Sequence, residues 1–217
     1  MTLNYKVAVI GAGYWGKKHV EEYSRIGAEV TVADLSQDNL NYCNDKFGAK
    51  TTKNYKELLS DSSIEFVSIC TPNESHYSLA KECLAAGKNV LVEKPLCHTV
   101  EEGKDLIATA THNGVALVVG HVFRFNNAVN KVKQMLAGRE FGQLYLAKFK
   151  WTNLEKVFTD RDVIYDLAPH PFDLIDYLFE KTPDEVSCVG NSFRQKKVLE
   201  AAFINLRLDE FIASVEL

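Results

Sequence analysis

Glu93, Lys94 and Pro95 follow directly on Asn89-Val90-Leu91-Val92. An apolar run ending in a charged pair has the pattern of a buried strand reaching its carboxyl tip. In open parallel sheets that tip is where ligands bind. An acid, a flexible amine and an imide nitrogen placed there suit chemistry better than packing. Pro95 cannot extend the ladder, so the strand ends, and the Lys94-Pro95 bond is one that can be cis. A cis bond would turn Lys94 back over the sheet edge. The plainer alternative is a solvated strand end before a helix-starting proline. Two further groups bear on that choice. Thr71-Pro72-Asn73 and His76 follow a second apolar run, Phe66 to Cys70, and would bring a hydroxyl, an amide and an imidazole to the same rim. Singly, Asn73 serves equally well as a helix cap and His76 as a surface residue. Asp166 and His170 stand four apart, so on a helix they share a face and can hydrogen-bond. A carboxylate on one ring nitrogen fixes the tautomer and leaves the other nitrogen as a base. An amphipathic helix with an incidental Asp/His pair is the competing explanation there. Pro169 and Pro171 require that such a helix start or bend at that point.

The elements that must position these groups begin with a strand over Tyr5–Ile10, then Gly11-Ala12-Gly13-Tyr14-Trp15-Gly16, then a helix from about Trp15 to Ile26. Gly11 permits the tight turn, Gly13 lets a pyrophosphate approach the backbone, and Gly16 lets helix and strand pack closely. The helix start, with Tyr14 and Trp15, offers unpaired N–H groups and partial positive charge to phosphates. A second strand, Glu29 to Ala33, ends in Asp34, eighteen positions after Gly16. An acid near that spacing accepts hydrogen bonds from the adenosine ribose and repels a 2′-phosphate, so NAD is favoured over NADP. Asp34 can also cap the next helix, from about Leu35 to Phe47, but Ser36 caps as well and leaves Asp34 available. Strands follow near Ala49–Thr52, Phe66–Cys70, Asn89–Val92 and Val115–Val119, with helices over Tyr55–Leu59, Glu74–Ala86 and Val100–Thr111. Six strands alternating with helices predict a parallel doubly wound sheet over residues 1–120, the dinucleotide-binding domain. After Gly120 come His121-Val122-Phe123-Arg124-Phe125, a helix over Ala128–Ala137, and loosely alternating runs at Leu144–Trp151, Val186–Gly190, Ala201–Leu208 and Phe211–Leu217. This second region, residues 121–217, is expected to be an α+β domain with a mostly antiparallel sheet covered on one face.

Composition narrows the field. A chain of 217 residues with 46% hydrophobic content is enough for one large or two small cores. A net charge of -4 and a pI near 5.9 give no general attraction to nucleic acid or anionic lipid. The apolar run Val115 to Val119 is far too short to span a membrane. With a strand starting at Tyr5, no signal peptide is expected ahead of it. Five cysteines (Cys43, Cys70, Cys83, Cys97, Cys188) without CxxC spacing are expected as free thiols in a reducing cytoplasm, not as bridges or metal ligands.

Taken together these residues resemble the glucose–fructose oxidoreductase and inositol dehydrogenase family (Gfo/Idh/MocA), pyridine-nucleotide dehydrogenases of sugars and polyols. The likeness rests on Gly11, Gly13, Gly16, Asp34, Thr71-Pro72-Asn73 with His76, Glu93-Lys94-Pro95, Gly120-His121, Arg124-Phe125 and the spacing Asp166…His170…Asp173. It implies that Thr71, Pro72, Asn73, His76, Glu93 and Lys94 join the glycine loop at the cofactor. It also implies a cis Pro95, Lys94 on both the cofactor ribose and the substrate hydroxyl, His170 as general base and Asp166 orienting it, with hydride passing to nicotinamide C4. Arg124 and Asn153 would help bind substrate, the stretch from Trp151 to Arg161 lining the pocket as in relatives that act on nucleotide-linked sugars. Ala168-Pro169-His170-Pro171 departs from the family's usual Gly-Val-His-Asp, which alters the local backbone under His170. Family members are longer, so the second sheet is expected to be incomplete here, with strands lost or supplied by a partner copy in a homo-oligomer. A non-catalytic NAD-responsive regulator, or an inactive fragment, is the rival expectation, because fold does not fix function.

Overall fold

A computed structural model of the chain describes residues 5–153, 162–196 and 198–217. The expected pocket-lining residues Asp160 and Arg161 lie outside them. The chain divides into two compact units, residues 1–120 and 121–217.

In the first unit, strands and helices alternate: β1 (Lys6–Ile10), α1 (Tyr14–Arg25), β2 (Glu29–Ala33), α2 (Gln37–Phe47), β3 (Lys50–Thr52), α3 (Lys56–Ser60), β4 (Phe66–Ile69), α4 (His76–Ala85), β5 (Asn89–Val92), α5 (Val100–Asn113) and β6 (Leu117–Val119). Their pairings are all parallel, in the order β3-β2-β1-β4-β5-β6. The winding reverses between β1 and β4, which opens a crevice at the carboxyl ends of those strands. Val9, Val32, Val67, Ile69 and Val92 are completely buried, as strands covered on both faces require. Ala80, Leu84 and Leu106 of α4 and α5 pack in one cluster, and Val20 and Leu40 of α1 and α2 in another. Several element ends shift by a residue or two from the sequence expectation, α2 starting at Gln37 and α5 running on to Asn113, and two further shifts show how the ends are made. β6 starts at Leu117, because the Val115 amide is used to close α5 by donating to the Ala110 carbonyl at 3.1 Å. The helix expected from Glu74 opens as a 3-10 turn over Asn73–Ser75 and becomes α only at His76.

The second unit opens with a 3-10 turn over Val122–Phe125. Then come α6 (Asn127–Ala137), β7 (Leu146–Lys150), α7 (Val163–Leu167), α8 (Pro169–Phe179), β8 (Glu185–Asn191), β9 (Ala201–Leu208) and β10 (Phe211–Glu216). The sheet runs β7-β10-β9-β8, with β10 antiparallel to β9, β9 antiparallel to β8, and β10 parallel to β7. It is therefore mixed and mostly antiparallel, as the alternating runs predict. Ala202, Ile204, Leu206 and Leu208 of β9 face inward with Phe211, Ala213 and Val215 of β10, and pack with Ile164, Leu167 and Phe179 of the helices. β8 is exposed along its whole length.

The prolines break the helix that carries Asp166 and His170. α7 stops at Leu167, and Pro169 begins α8 at its first position, where a missing N–H costs nothing. Asp166 and His170 therefore belong to successive helices, and the expectation of one shared helical face does not carry over. The Lys94-Pro95 bond is cis, as expected. Among the described residues no helix is long and apolar enough to cross a membrane.

Candidate functional site

In the first unit the three glycines of the loop after β1 meet different surroundings. Gly11 has φ +88°, and a Cβ there would come within 2.8 Å of the Cys70 carbonyl oxygen. At Gly16 an added Cβ would lie 1.9 Å from the Gly11 carbonyl oxygen and 3.4 Å from the Cys70 Cβ. At Gly13, among the described residues, an added Cβ meets nothing within 4 Å. Two glycines are thus demanded by the protein's own packing, while the middle one faces open space. Gly13 also stands as the N-cap of α1 with no side chain to satisfy the first amides. Open space beside free N–H groups fits a pyrophosphate. The Tyr14 and Trp15 rings pack edge to face at 5.3 Å and remain exposed, so it is their backbone that belongs to the cradle.

Asp34 braces this loop. Its Oδ2 accepts a hydrogen bond from the Ala12 amide at 2.5 Å, and its Oδ1 accepts from the Ser36 amide at 2.7 Å. Ser36, not Asp34, caps α2, accepting from the Asn39 amide at 3.4 Å. The Asn39 side-chain amide donates to Asp34 Oδ1 as well, at 3.4 Å. A carboxylate has about four acceptor sites, so three donors leave room for a ribose hydroxyl. A cavity of about 430 Å³ opens here, lined by Gly11, Gly13, Asp34, Leu35, Asn39, Lys53, Tyr55, Thr71, Pro72 and Leu79 among others. Lys53 and Tyr55 were not singled out from the sequence. Their signal was position alone, just beyond the carboxyl end of β3, at the same rim as Asp34.

At the next two strand tips the residues take different roles. Thr71 and Pro72 line the cavity, and the Thr71 hydroxyl accepts from the Ser75 hydroxyl at 2.7 Å. Asn73 is half-buried in the 3-10 turn. His76, expected at the cofactor, is only 1% exposed, and its ring nitrogens stand 2.7 Å from the Pro95 carbonyl and 2.9 Å from the Thr71 carbonyl. It pins the two tips together from within. Glu93 is buried at 8% exposure, and its Oε1 accepts from Nε2 of His19 at 2.9 Å. Its Oε2 accepts from the Lys94 amide at 3.3 Å. Burial works to raise the Glu93 pKa, but the His19 bond and the Lys94 amide and charge outweigh it and hold the carboxyl below the usual carboxylate range. Gly120 makes room for that carboxylate, since a Cβ there would lie 3.2–3.3 Å from it. Lys94 follows, half-buried, at the end of β5.

In the second unit His170 sits in the first turn of α8 inside an aromatic cradle. The Trp151 ring stacks on it at 5.4 Å and 29°, and the Phe123 ring meets it edge-on at 5.0 Å. Neither aromatic was tied to His170 by sequence reasoning, because they lie 47 and 19 positions upstream (170 − 123 and 170 − 151). Asp166 is half-buried on α7, whose N-cap is Asp162, and Asn153 is exposed after β7. Arg124, expected on substrate, is instead engaged within the unit. Its guanidinium donates to Asp173 at 2.6 and 2.8 Å and to Asp176 at 3.1 Å, and lies 5.1 Å from the Tyr177 ring centre. Asp173 beside it raises the Arg124 pKa. Asp173, part of the expected spacing, is the buried anchor of this contact and stands 3.7 Å from Nε2 of His121. Among the described residues no cluster of three or more His, Cys, Asp or Glu side chains is placed to hold a metal ion. The five cysteines are free.

Residues 5–121 match a family described as an oxidoreductase family with an NAD-binding Rossmann fold, and residues 129–217 match the Gfo/Idh/MocA C-terminal domain. An uncharacterised oxidoreductase of Bacillus subtilis, YrbE, is 28% identical over 96% of this chain and 65% of its own length. The UDP-N-acetylglucosamine 3-dehydrogenase of Acidithiobacillus ferrooxidans is 30% identical over 87% of this chain and 58% of its own. Among solved structures, the WlbA dehydrogenase of Bordetella pertussis superposes with a TM-score of 0.88 at 22% identity, over 99% of this chain and 66% of that one. The chain thus spans between 58% and 65% of the length of these curated relatives. With both of its units matched in order, the chain belongs to the Gfo/Idh/MocA family, its first unit being the family's NAD-binding Rossmann domain.

Proposed function

We propose that this chain is the catalytic portion of an NAD-dependent dehydrogenase that oxidises a secondary hydroxyl of a sugar, polyol or nucleotide-linked sugar. The observation that carries this is the strand end at Glu93-Lys94. There a clamped carboxylate precedes a lysine amine, in the same unit as a glycine loop whose open face fits a pyrophosphate. The substrate class is supported by the relative that acts on UDP-N-acetylglucosamine.

Bound NAD supplies the hydride acceptor. The chain's own residues bind, orient and move the proton. Gly13 and the start of α1 receive the pyrophosphate, with Tyr14 and Trp15 contributing backbone and Gly11, Gly16, Thr71 and Pro72 shaping the cradle. Asp34 takes the adenosine ribose and disfavours a 2′-phosphate. Lys94 donates to the substrate hydroxyl and the cofactor ribose, with Glu93 bonded to its main-chain amide and Asn73 contributing at the cofactor. His170 accepts the hydroxyl proton as the carbonyl forms, and Asp166 orients it. Asn153 contacts the substrate. Arg124 acts indirectly by holding the 3-10 turn that presents Phe123 to His170.

The decisive assay follows NADH absorbance while sugars, polyols and UDP-sugars are offered to the protein with NAD or NADP. Turnover with NAD, lost by roughly 10²–10⁴-fold in Lys94→Ala and in His170→Ala while NAD still binds, is the expected result. Retained turnover in both variants would remove these roles. NAD binding without oxidation of any compound offered would turn the assignment to a regulator.

The five free thiols support a reducing, cytoplasmic location. Assembly of copies through the second unit's sheet is supported by the exposure of β8 and by Val189, Phe203 and Ile212, exposed at 74%, 56% and 48%. Light scattering should therefore return more than one copy per particle; a monomer at all concentrations would dismiss the assembly.

A further inference from the structure

The geometry points to His19 as a positioning residue for Lys94, acting through Glu93; this rests on the dehydrogenase assignment only for its kinetic consequence. His19 lies in the middle of α1, one turn before Tyr23, on the face that meets the sheet. Its Nε2–H donates to Glu93 Oε1 at 2.9 Å, with the two side chains only 16% and 11% exposed, so water competes little for the bond. The other carboxylate oxygen accepts from the Lys94 main-chain amide at 3.3 Å. Gly120, lacking a Cβ, leaves the space in which that carboxylate sits, since a side chain there would come within 3.2–3.3 Å of it. The imidazole thus fixes the carboxylate, and the carboxylate fixes the backbone from which the lysine amine projects. His19 itself is held: its ring meets the Tyr23 ring edge-on at 6.2 Å, and the Tyr23 hydroxyl bonds the Ser68 hydroxyl at 2.6 Å. The titratable groups facing the pair are Tyr23 on α1, Cys70 beyond β4 and Lys94 beyond β5. Since α1 also opens at the pyrophosphate cradle, one helix carries the phosphate end of the cofactor site and the brace of the amine.

The test uses two variants of the full chain and lysine side chains labelled with carbon-13 at Cε, the Lys94 signal being assigned by its loss in Lys94→Arg. His19→Phe keeps ring volume and the Tyr23 contact but removes the donor; His19→Gln keeps a donor. With NAD bound, the Lys94 signal should shift in His19→Phe and return towards its original position in His19→Gln. On any sugar the native protein oxidises, His19→Phe should lower kcat roughly ten- to a hundredfold with KM for NAD unchanged. An unmoved Lys94 signal in folded His19→Phe, or no recovery in His19→Gln, would overturn the inference. If His19→Phe does not fold, Glu93→Gln takes its place, and there too an unmoved Lys94 signal overturns it. Should the native protein oxidise no sugar, the dehydrogenase assignment fails alone, because the lysine signal still decides the role of His19.

Discussion

At the scale of single residues, three glycines of one motif carry different physical burdens. Gly16 is excluded from change by the Gly11 carbonyl oxygen, 1.9 Å from where its Cβ would sit, whereas Gly13 borders open space. Gly16→Ala should therefore lower both melting temperature and NADH affinity. Gly13→Ala should leave the melting temperature within a degree or so while weakening NADH roughly tenfold or more, about 1.4 kcal/mol, because its methyl intrudes only on the ligand. Thermal shift and NADH fluorescence titration separate the two; equal melting losses would remove Gly13 from the phosphate site. Glu93 gives a pH signature. Its carboxyl titrates below its unfolded value of roughly 4.3, so it contributes stability that is present above that value and lost as pH falls through the lower folded one. Melting temperature should accordingly fall less steeply below about pH 4.5 in Glu93→Gln than in the native chain. Parallel curves would mean that the His19 bond gives the ionised form no preference.

At the scale of elements, much of the first unit was legible because its signals are local. Apolar β-branched runs mark buried strands, and Ser36 is the cap that starts α2, as its sequence position indicates. The glycine spacing also named its own turn. What was not legible depends on contacts distant in sequence. His76 reads as a rim residue in sequence, yet its ring fits between two carbonyls of different loops. Glu93 looks like a solvated strand end until His19, 74 positions away, is set against it. Arg124 likewise reads as a substrate ligand, and only the fold shows Asp173 and Asp176 on α8 holding it to the 3-10 turn. Arg124→Ala would take from Asp173, which is 9% exposed, its nearest cation and leave the His121 ring at 3.7 Å. The cost should be roughly 2 kcal/mol, below the ~3–5 of a fully buried pair, because the guanidinium remains over a third exposed. Denaturant unfolding measures it. A loss under about 0.5 kcal/mol, the range of an ordinary surface change, would mean that the turn is held by packing instead.

At the scale of the whole molecule, the two units differ in whether every strand has one partner near it in sequence, although β1 also pairs with the distant β4. In the first, each strand of the sheet finds a neighbour soon after it is made, β2 beside β1 and β5 beside β4. In the second, β7 pairs with β10, so Leu146 waits for Ile212. Between them the chain must lay down α7, α8, β8 and β9. Non-local pairing of this kind forms late, since the loop must close before any contact rewards it. During synthesis the nucleotide-binding half can therefore mature while its neighbour is still being translated. Until β10 is made, the strand Leu146–Lys150 has neither backbone edge paired within its sheet, the condition in which a strand is most open to pairing with another chain.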